Sequence, residues 1–145
     1  MPFIYTLLLA TLDIVTKDLI RKNNIQEYVL IEDILTIDLT YNTGIAFGLL
    51  SDFTIFTYIL SIFVFIWLIF QIRDIKEQNL EKLSLILILS GAVGNLGERG
   101  WNLITGTDGK VTDFVELLFI PSFNLADTYI SIGIVLLIYS EIKKA

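Results

Sequence analysis

The sequence predicts an all-α membrane protein: four transmembrane helices with a small extramembrane β-element between helices 1 and 2. Three observations lead there. Of the 145 residues 54% are hydrophobic and only 18% are charged, less charge than a soluble domain of this size carries. The mean hydropathy is +0.73, and the apolar residues gather into runs too long for core helices. Between the first two runs the hydrophobicity falls and an apolar–polar alternation of period two sets in. Residues 1–145 read as a single integral membrane domain.

The chain has no cysteine and no histidine, which removes cysteine nucleophiles, Ser-His-Asp triads, disulfides and zinc sites built on either residue. No cofactor and no metal are expected, so any catalysis must run on carboxylates, hydroxyls, lysine, arginine or amides. The net charge of −6 argues against a nucleic-acid partner.

The first span runs from about Phe3 to Arg21. Its apolar start is not read as a signal peptide, because no basic segment precedes it and no small-residue cleavage site follows. Asp13 and Lys17 are four residues apart with the acid first, the favourable order for an ion pair on one helix face. Such a pair either neutralises itself near the helix end or braces an active site.

From about 23 to 53 the chain is extramembrane. ILTIDLTYN alternates through Thr36, Asp38 and Thr40 as a half-buried strand, IQEYVLIED offers a second, and Asn42-Thr43-Gly44 is a turn signal. Thr54 to Ile72 holds nineteen residues without charge, about 28 Å of helix and close to the hydrocarbon thickness. A short charged connection leads to a third span, Leu83 to Arg99, in which Gly91, Asn95 and Arg99 recur every four residues and so line one stripe. Gly91, Ala92 and Gly94 let neighbouring backbones approach, but Asn95 and Arg99 need polar partners at that depth. Residues from about 100 to 122 read as a loop, and the fourth span covers about Asn124 to Ser140, after Pro121.

Two carboxylates flank the apolar run before that last span. Asp127 lies just inside it, where a charge is expensive unless paired, protonated or facing a wet cavity. Asp113 precedes it by fourteen residues. Two carboxyls brought together share one proton, the arrangement by which an aspartic protease activates water. Their spacing alone leaves open whether they meet.

With four spans both termini lie on one side. Lysines and arginines divide five against five between the two sides and leave the positive-inside rule mute. The acids, four against twelve, lean mildly towards termini inside. Under this topology Asp13, Lys17, Asn42, Asn95, Arg99, Asp113, Asn124 and Asp127 all fall near one membrane surface.

Those residues resemble the lipoprotein signal peptidases, or type II signal peptidases, over nearly the whole chain. The match lies in Asp13 with Lys17, in Asn42-Thr43-Gly44-Ile45-Ala46-Phe47, in Gly91, Gly94 and Asn95 followed by Arg99, in Val111-x-Asp113-Phe114, and in Phe123-Asn124-x-Ala126-Asp127. The resemblance implies an intramembrane aspartic endopeptidase of the bacterial cytoplasmic membrane, multi-pass, with its site near the outer surface. It implies removal of the signal peptide from diacylglyceryl-modified prolipoproteins, the cut falling N-terminal to the lipidated cysteine. Asp113 and Asp127 match the catalytic pair. Asn42, Gly44, Asn95, Arg99 and Asn124 match positions that line the pocket, hold the aspartates or meet the substrate backbone, and Asp13 and Lys17 a supporting pair. A β-cradle, membrane lipids as partners and a monomeric state complete the expectation.

Three positions depart from the family pattern. Ile45 stands where a small residue is common, Glu98 where an aspartate is common, and the segment Gly100–Lys110 is longer than usual. The rival reading of the residues is a small four-helix transporter with a proton-relay carboxylate at Asp127, which predicts polar residues through the whole membrane depth. Ile55–Phe70 and Ile132–Ile138 offer almost none. A non-catalytic subunit packed through its small residues is the other alternative, and it has no need of two aspartates near one surface.

Overall fold

The structure is a computed structural model and describes residues 2–44, 54–74 and 79–144. Four helices and one sheet follow in the order α1 (Pro2–Asn23), β1 (Tyr28–Ile31), β2 (Leu35–Asn42), α2 (Thr54–Asp74), α3 (Leu80–Ile104), β3 (Val111–Leu117), β4 (Ile120–Phe123) and α4 (Leu125–Lys144). Ile45, Ala46 and Phe47 lie outside the described residues, and with them the expectation that Ile45 narrows the pocket.

Among the described residues three helices are long and apolar enough to cross a membrane: Ile55–Arg73, Leu80–Ile104 and Leu125–Lys144. The first helix is not one of them, because Asp13, Lys17 and Asp18 lower its hydropathy. Its buried residues Thr6, Ala10, Asp13 and Lys17 follow helical spacing and form one inward stripe against α3, while Leu7 and Leu8 point outward. α2 carries Ile55, Phe63 and Trp67 outward as well, the surface of a protein whose surroundings are acyl chains rather than water.

α3 begins under an Asn79 cap, whose side chain accepts from the Lys82 N–H at 3.0 Å. It runs past the expected end at Arg99 to Ile104, since Trp101-Asn102-Leu103-Ile104 holds no residue that breaks a helix. Gly91 on α3 faces the Ala126 carbonyl and Ile130 of α4 so closely that a Cβ has no room. The apolar core, Leu68 and Ile72 with Leu85, Ile86 and Leu89, sits where α2 leads into α3. The opposite end of the bundle is left for polar groups.

That end carries the sheet, and here the expectation needs correcting. The β-element is not confined to the connection between α1 and α2, and residues 100–122 are not simply a loop. The sheet is four-stranded and antiparallel in the order β1-β2-β3-β4, two strands coming from each segment. β3 escapes the alternation test because Val111, Thr112, Asp113 and Phe114 are all buried, on both faces. Pairing of β2 with β3 sets Thr40 opposite Asp113 and Asn42 opposite Val111.

Candidate active site

The start of α4 organises the site. Asn124 is its cap: the side-chain Oδ1 accepts from the Asp127 N–H at 2.9 Å, and Asp127 Oδ2 accepts from the Asn124 N–H at 3.2 Å. This reciprocal pair is a capping box built from Asn and Asp, so the helix start itself fixes the Asp127 carboxylate. Asn124 Nδ2 donates to Asp113 Oδ1 at 2.7 Å and lies 3.2 Å from the Thr112 carbonyl. One fully buried amide thus joins the two aspartates. Asp113 and Asp127 are themselves 2% and 5% exposed, too little for bulk water to solvate both as anions.

A second amide supports the first. Asn95 on α3 donates from Nδ2 to Asp127 Oδ1 at 2.9 Å, and its Oδ1 accepts from Lys17 Nζ at 2.8 Å and from Asn124 Nδ2 at 3.1 Å. The lysine ammonium, a donor only, dictates which way round the Asn95 amide sits and so aims a donor at Asp127. Lys17 is paired with Asp13 at 2.8 Å, both completely buried. Asp13 Oδ1 in turn accepts from the Ala126 N–H at 2.9 Å, satisfying another free amide of the first turn of α4. Gly94 makes the approach possible, since a Cβ there would stand 2.5 Å from Asp13 Oδ2. The supporting pair is therefore joined to the carboxylate site through two separate routes.

Asn42, Gly44 and Arg99 form the opposite wall. Asn42 Oδ1 accepts from the Gly44 N–H at 2.8 Å, closing a tight turn, and its side chain also bonds to Asp113. Arg99 donates to the carbonyls of Thr43 at 2.7 Å, Gly109 at 3.1 Å and Gly44. Its guanidinium is satisfied by main-chain oxygens of the two loops that frame the site, and it holds those loops rather than the aspartates.

All six of Asn42, Asn95, Arg99, Asp113, Asn124 and Asp127 line one end of a cavity of about 420 Å³ between α2, α3 and α4. Its other end is apolar, walled by Leu60, Val64, Leu68, Ile88, Ile130 and Ile134. Among the described residues that line the cavity, Ser61 is the one polar side chain beyond those six, which is not the continuous polar relay that a proton transporter needs. Burial, with the Asp127 charge beside it, pushes the Asp113 carboxyl up to about 7, against the pull of its hydrogen bonds to Asn42 and Asn124 and of the Lys17 charge. A carboxyl in that range keeps its proton close to neutral pH.

The structure brings the residues singled out in the sequence together here; of their neighbours, Arg21 and Thr112 were not expected, and Glu98 was expected only as a departure from the family pattern. Glu98 accepts from Arg21 Nη1 and from Thr112 Oγ1, each at 2.6 Å, and lies 3.2 Å from Lys17 Nζ. Helical spacing pointed to Glu98, three residues beyond Asn95, and to Arg21, four beyond Lys17. For Thr112 there was no signal, because its partner is set by the β3 placement.

The chain is similar to known proteins in sequence and in fold. The family model for signal peptidase (SPase) II matches residues 5–143. The lipoprotein signal peptidase of Caldanaerobacter subterraneus is 35% identical over 121 residues, covering 83% of this chain and 79% of the relative. That of Caldicellulosiruptor bescii is 36% identical over 134 residues, covering 92% and 85%. Among solved structures, a bacterial membrane enzyme determined by the in meso method at 1.9 Å superposes with a TM-score of 0.81 at 27% identity, over 99% of this chain and 94% of the other. A second bacterial membrane enzyme, determined at 2.3 Å, gives 0.83 at 27% identity over 98% and 87%. With the family match spanning nearly its whole length, the chain belongs to the signal peptidase II family of membrane peptidases.

Proposed function

We propose that the chain is an intramembrane aspartic endopeptidase in which Asp113 and Asp127 activate water. Family membership makes it a peptidase that takes signal peptides from prolipoproteins. The observation that carries the aspartic reading is Asn124, whose side chain donates to the Asp113 carboxylate and whose backbone N–H donates to the Asp127 carboxylate, at the polar end of an otherwise apolar cavity. One carboxylate takes a proton from water as the oxygen attacks the scissile carbonyl carbon; the other, protonated, donates to the carbonyl oxygen. Collapse of the tetrahedral adduct breaks the C–N bond, and the nitrogen leaves with a proton from the pair. The single shared proton belongs to the two groups together, so base and acid are not assigned separately.

The apolar half of the cavity suits a hydrophobic segment entering from the membrane, which supports a diacylglyceryl-modified prolipoprotein cut N-terminal to its lipidated cysteine. Asn42, Gly44 and Arg99 shape the wall that faces such a chain. Four spans in a bacterial cytoplasmic membrane, the site near the outer surface, accommodate the sheet at one end of the bundle. α1 spans in this reading because its buried Asp13 and Lys17 neutralise one another. A monomer surrounded by lipid suffices, since every site residue comes from one chain.

A gel-shift assay in detergent tests this, using a diacylglyceryl-modified prolipoprotein and its unlipidated twin. Cleavage of the lipidated substrate alone is expected. Equal cleavage of both forms would contradict the substrate assignment.

A further inference from the structure

Behind the two aspartates lies a second buried cluster that the reaction itself does not use. Lys17 and Arg21 stand one helical turn apart on α1, and Glu98 on α3 spans them, Oε2 at 3.2 Å from Lys17 Nζ and Oε1 at 2.6 Å from Arg21 Nη1. The same Oε1 accepts from the Thr112 hydroxyl on β3 at 2.6 Å, and Arg21 Nη1 reaches that hydroxyl at 3.3 Å. Glu98 and Thr112 are 9% and 0% exposed. With Asp13, the cluster holds two carboxylates and two cations and is neutral as a unit; Arg21 is one third exposed and the other three charges are buried, which their mutual neutralisation makes tolerable.

The cluster has two arms. One runs from Glu98 through Lys17 to Asn95 Oδ1, and from Asn95 Nδ2 to Asp127 Oδ1, with steps of 3.2, 2.8 and 2.9 Å. The other runs through the Thr112 hydroxyl into the residue just before Asp113, whose carbonyl is 3.2 Å from Asn124 Nδ2. Successive strand side chains point to opposite faces, so Thr112 anchors β3 from behind while Asp113 faces the cavity. We propose that Glu98, gripping Lys17, Arg21 and Thr112 at once, is a positioning residue that sets the relative placement of Asp113 and Asp127. The proposal rests on the reading of those two aspartates as the reacting pair.

The length of the side chain matters as well as its charge. Two cations a helical turn apart are bridged here by a carboxylate on a two-methylene stem, and in the framework of this chain an aspartate at 98, one methylene shorter, stands farther from both cations and from the Thr112 hydroxyl. Displacement of reacting groups by a fraction of an ångström slows turnover without abolishing binding.

The test measures kcat and KM on a lipidated prolipoprotein, normalised to folded protein, for Glu98→Asp, Thr112→Val and Thr112→Ser, with Lys22→Met as a surface control and Asp127→Asn as the site control. Lys22 pairs with Asp18 at the surface, its side chain 72% exposed. Glu98→Asp and Thr112→Val should lose kcat by about tenfold to a hundredfold, with KM within about twofold. Thr112→Ser, which keeps the hydroxyl, should recover most of the rate, and Lys22→Met should behave as wild type. Wild-type kcat per folded molecule in Glu98→Asp and Thr112→Val, or equal damage from the valine and the serine, would overturn the proposal. Cleavage that survives in Asp127→Asn would overturn the aspartic reading itself and the proposal with it. Cleavage lost there, beside an unimpaired Thr112→Val, would strike down the Glu98 proposal alone.

Discussion

Asn124 donates from Nδ2 to Asp113 Oδ1 at 2.7 Å while its Oδ1 accepts from the backbone of Asp127 at 2.9 Å. Helix capping and the pairing of two carboxylates are thus served by one side chain. Asn124→Ala should remove both. Loss of the cap costs about 1 kcal/mol of stability. Turnover should fall far more than that, by about a hundredfold or more, because the Asp113 carboxyl loses its donor and the helix turn that carries Asp127 loses its cap. Thermal unfolding in detergent alongside cleavage rates checks the split between the two effects.

The raised carboxyl of Asp113 has a consequence for stability. Its pKa of about 7 in the folded protein lies above the ordinary value of 3.8, so the folded state binds this proton more tightly than the unfolded state does. The associated stabilisation is fully present below about 4 and is lost as pH rises through about 7. Asp113→Asn, which cannot ionise, should therefore unfold at a higher temperature than wild type at pH 8, with a gain of up to about 4 kcal/mol of stability. The advantage should shrink at pH 5, while cleavage is lost at both. A variant no more stable than wild type at pH 8 contradicts the assignment of the raised carboxyl.

Gly94 and Gly97 lie on the same helix and predict opposite results. A Cβ at Gly94 meets Asp13 Oδ2 at 2.5 Å, whereas nothing lies within 4 Å of one at Gly97. Gly94→Ala should displace the Asp13–Lys17 pair at about 1–3 kcal/mol. Gly97→Ala should stabilise α3 by about 0.5–1 kcal/mol through helix propensity alone. Paired unfolding curves decide it.

Lys17→Met leaves Asp13 and Glu98 facing each other without their shared cation. That should cost about 3–5 kcal/mol, the usual outcome of breaking a buried ion pair from one side. Adding Asp13→Asn to Lys17→Met should recover part of the loss rather than deepen it, which a double-mutant cycle measures.

Much of the site was legible in the sequence because it is written at helical spacing. Asp13 with Lys17, Asn95 with Arg99, and Asn124 with Asp127 each sit one turn apart, and a polar residue in a greasy helix advertises itself. The sheet was harder. β2 has one half-buried face and alternates, but β3 is buried on both faces where it carries Asp113, so no periodicity marks it. Arg99 was expected among the residues that line the pocket, hold the aspartates or meet substrate. It does line the cavity, yet its hydrogen bonds go to main-chain carbonyls, which have no sequence signature. Glu98 was noticed only as a departure from a family pattern, because its three partners come from α1 and β3 and meet only once the chain is folded.

The proposed mechanism requires Asp113 and Asp127 to act as one unit. Its most direct test is single-turnover cleavage of a lipidated prolipoprotein by wild type, Asp113→Asn, Asp127→Asn and the double variant, each confirmed folded by its unfolding transition. Either single change should abolish cleavage, and the double variant should be no worse than the singles, as for residues that work together. Appreciable cleavage by either single variant, or losses that multiply in the double, would contradict it.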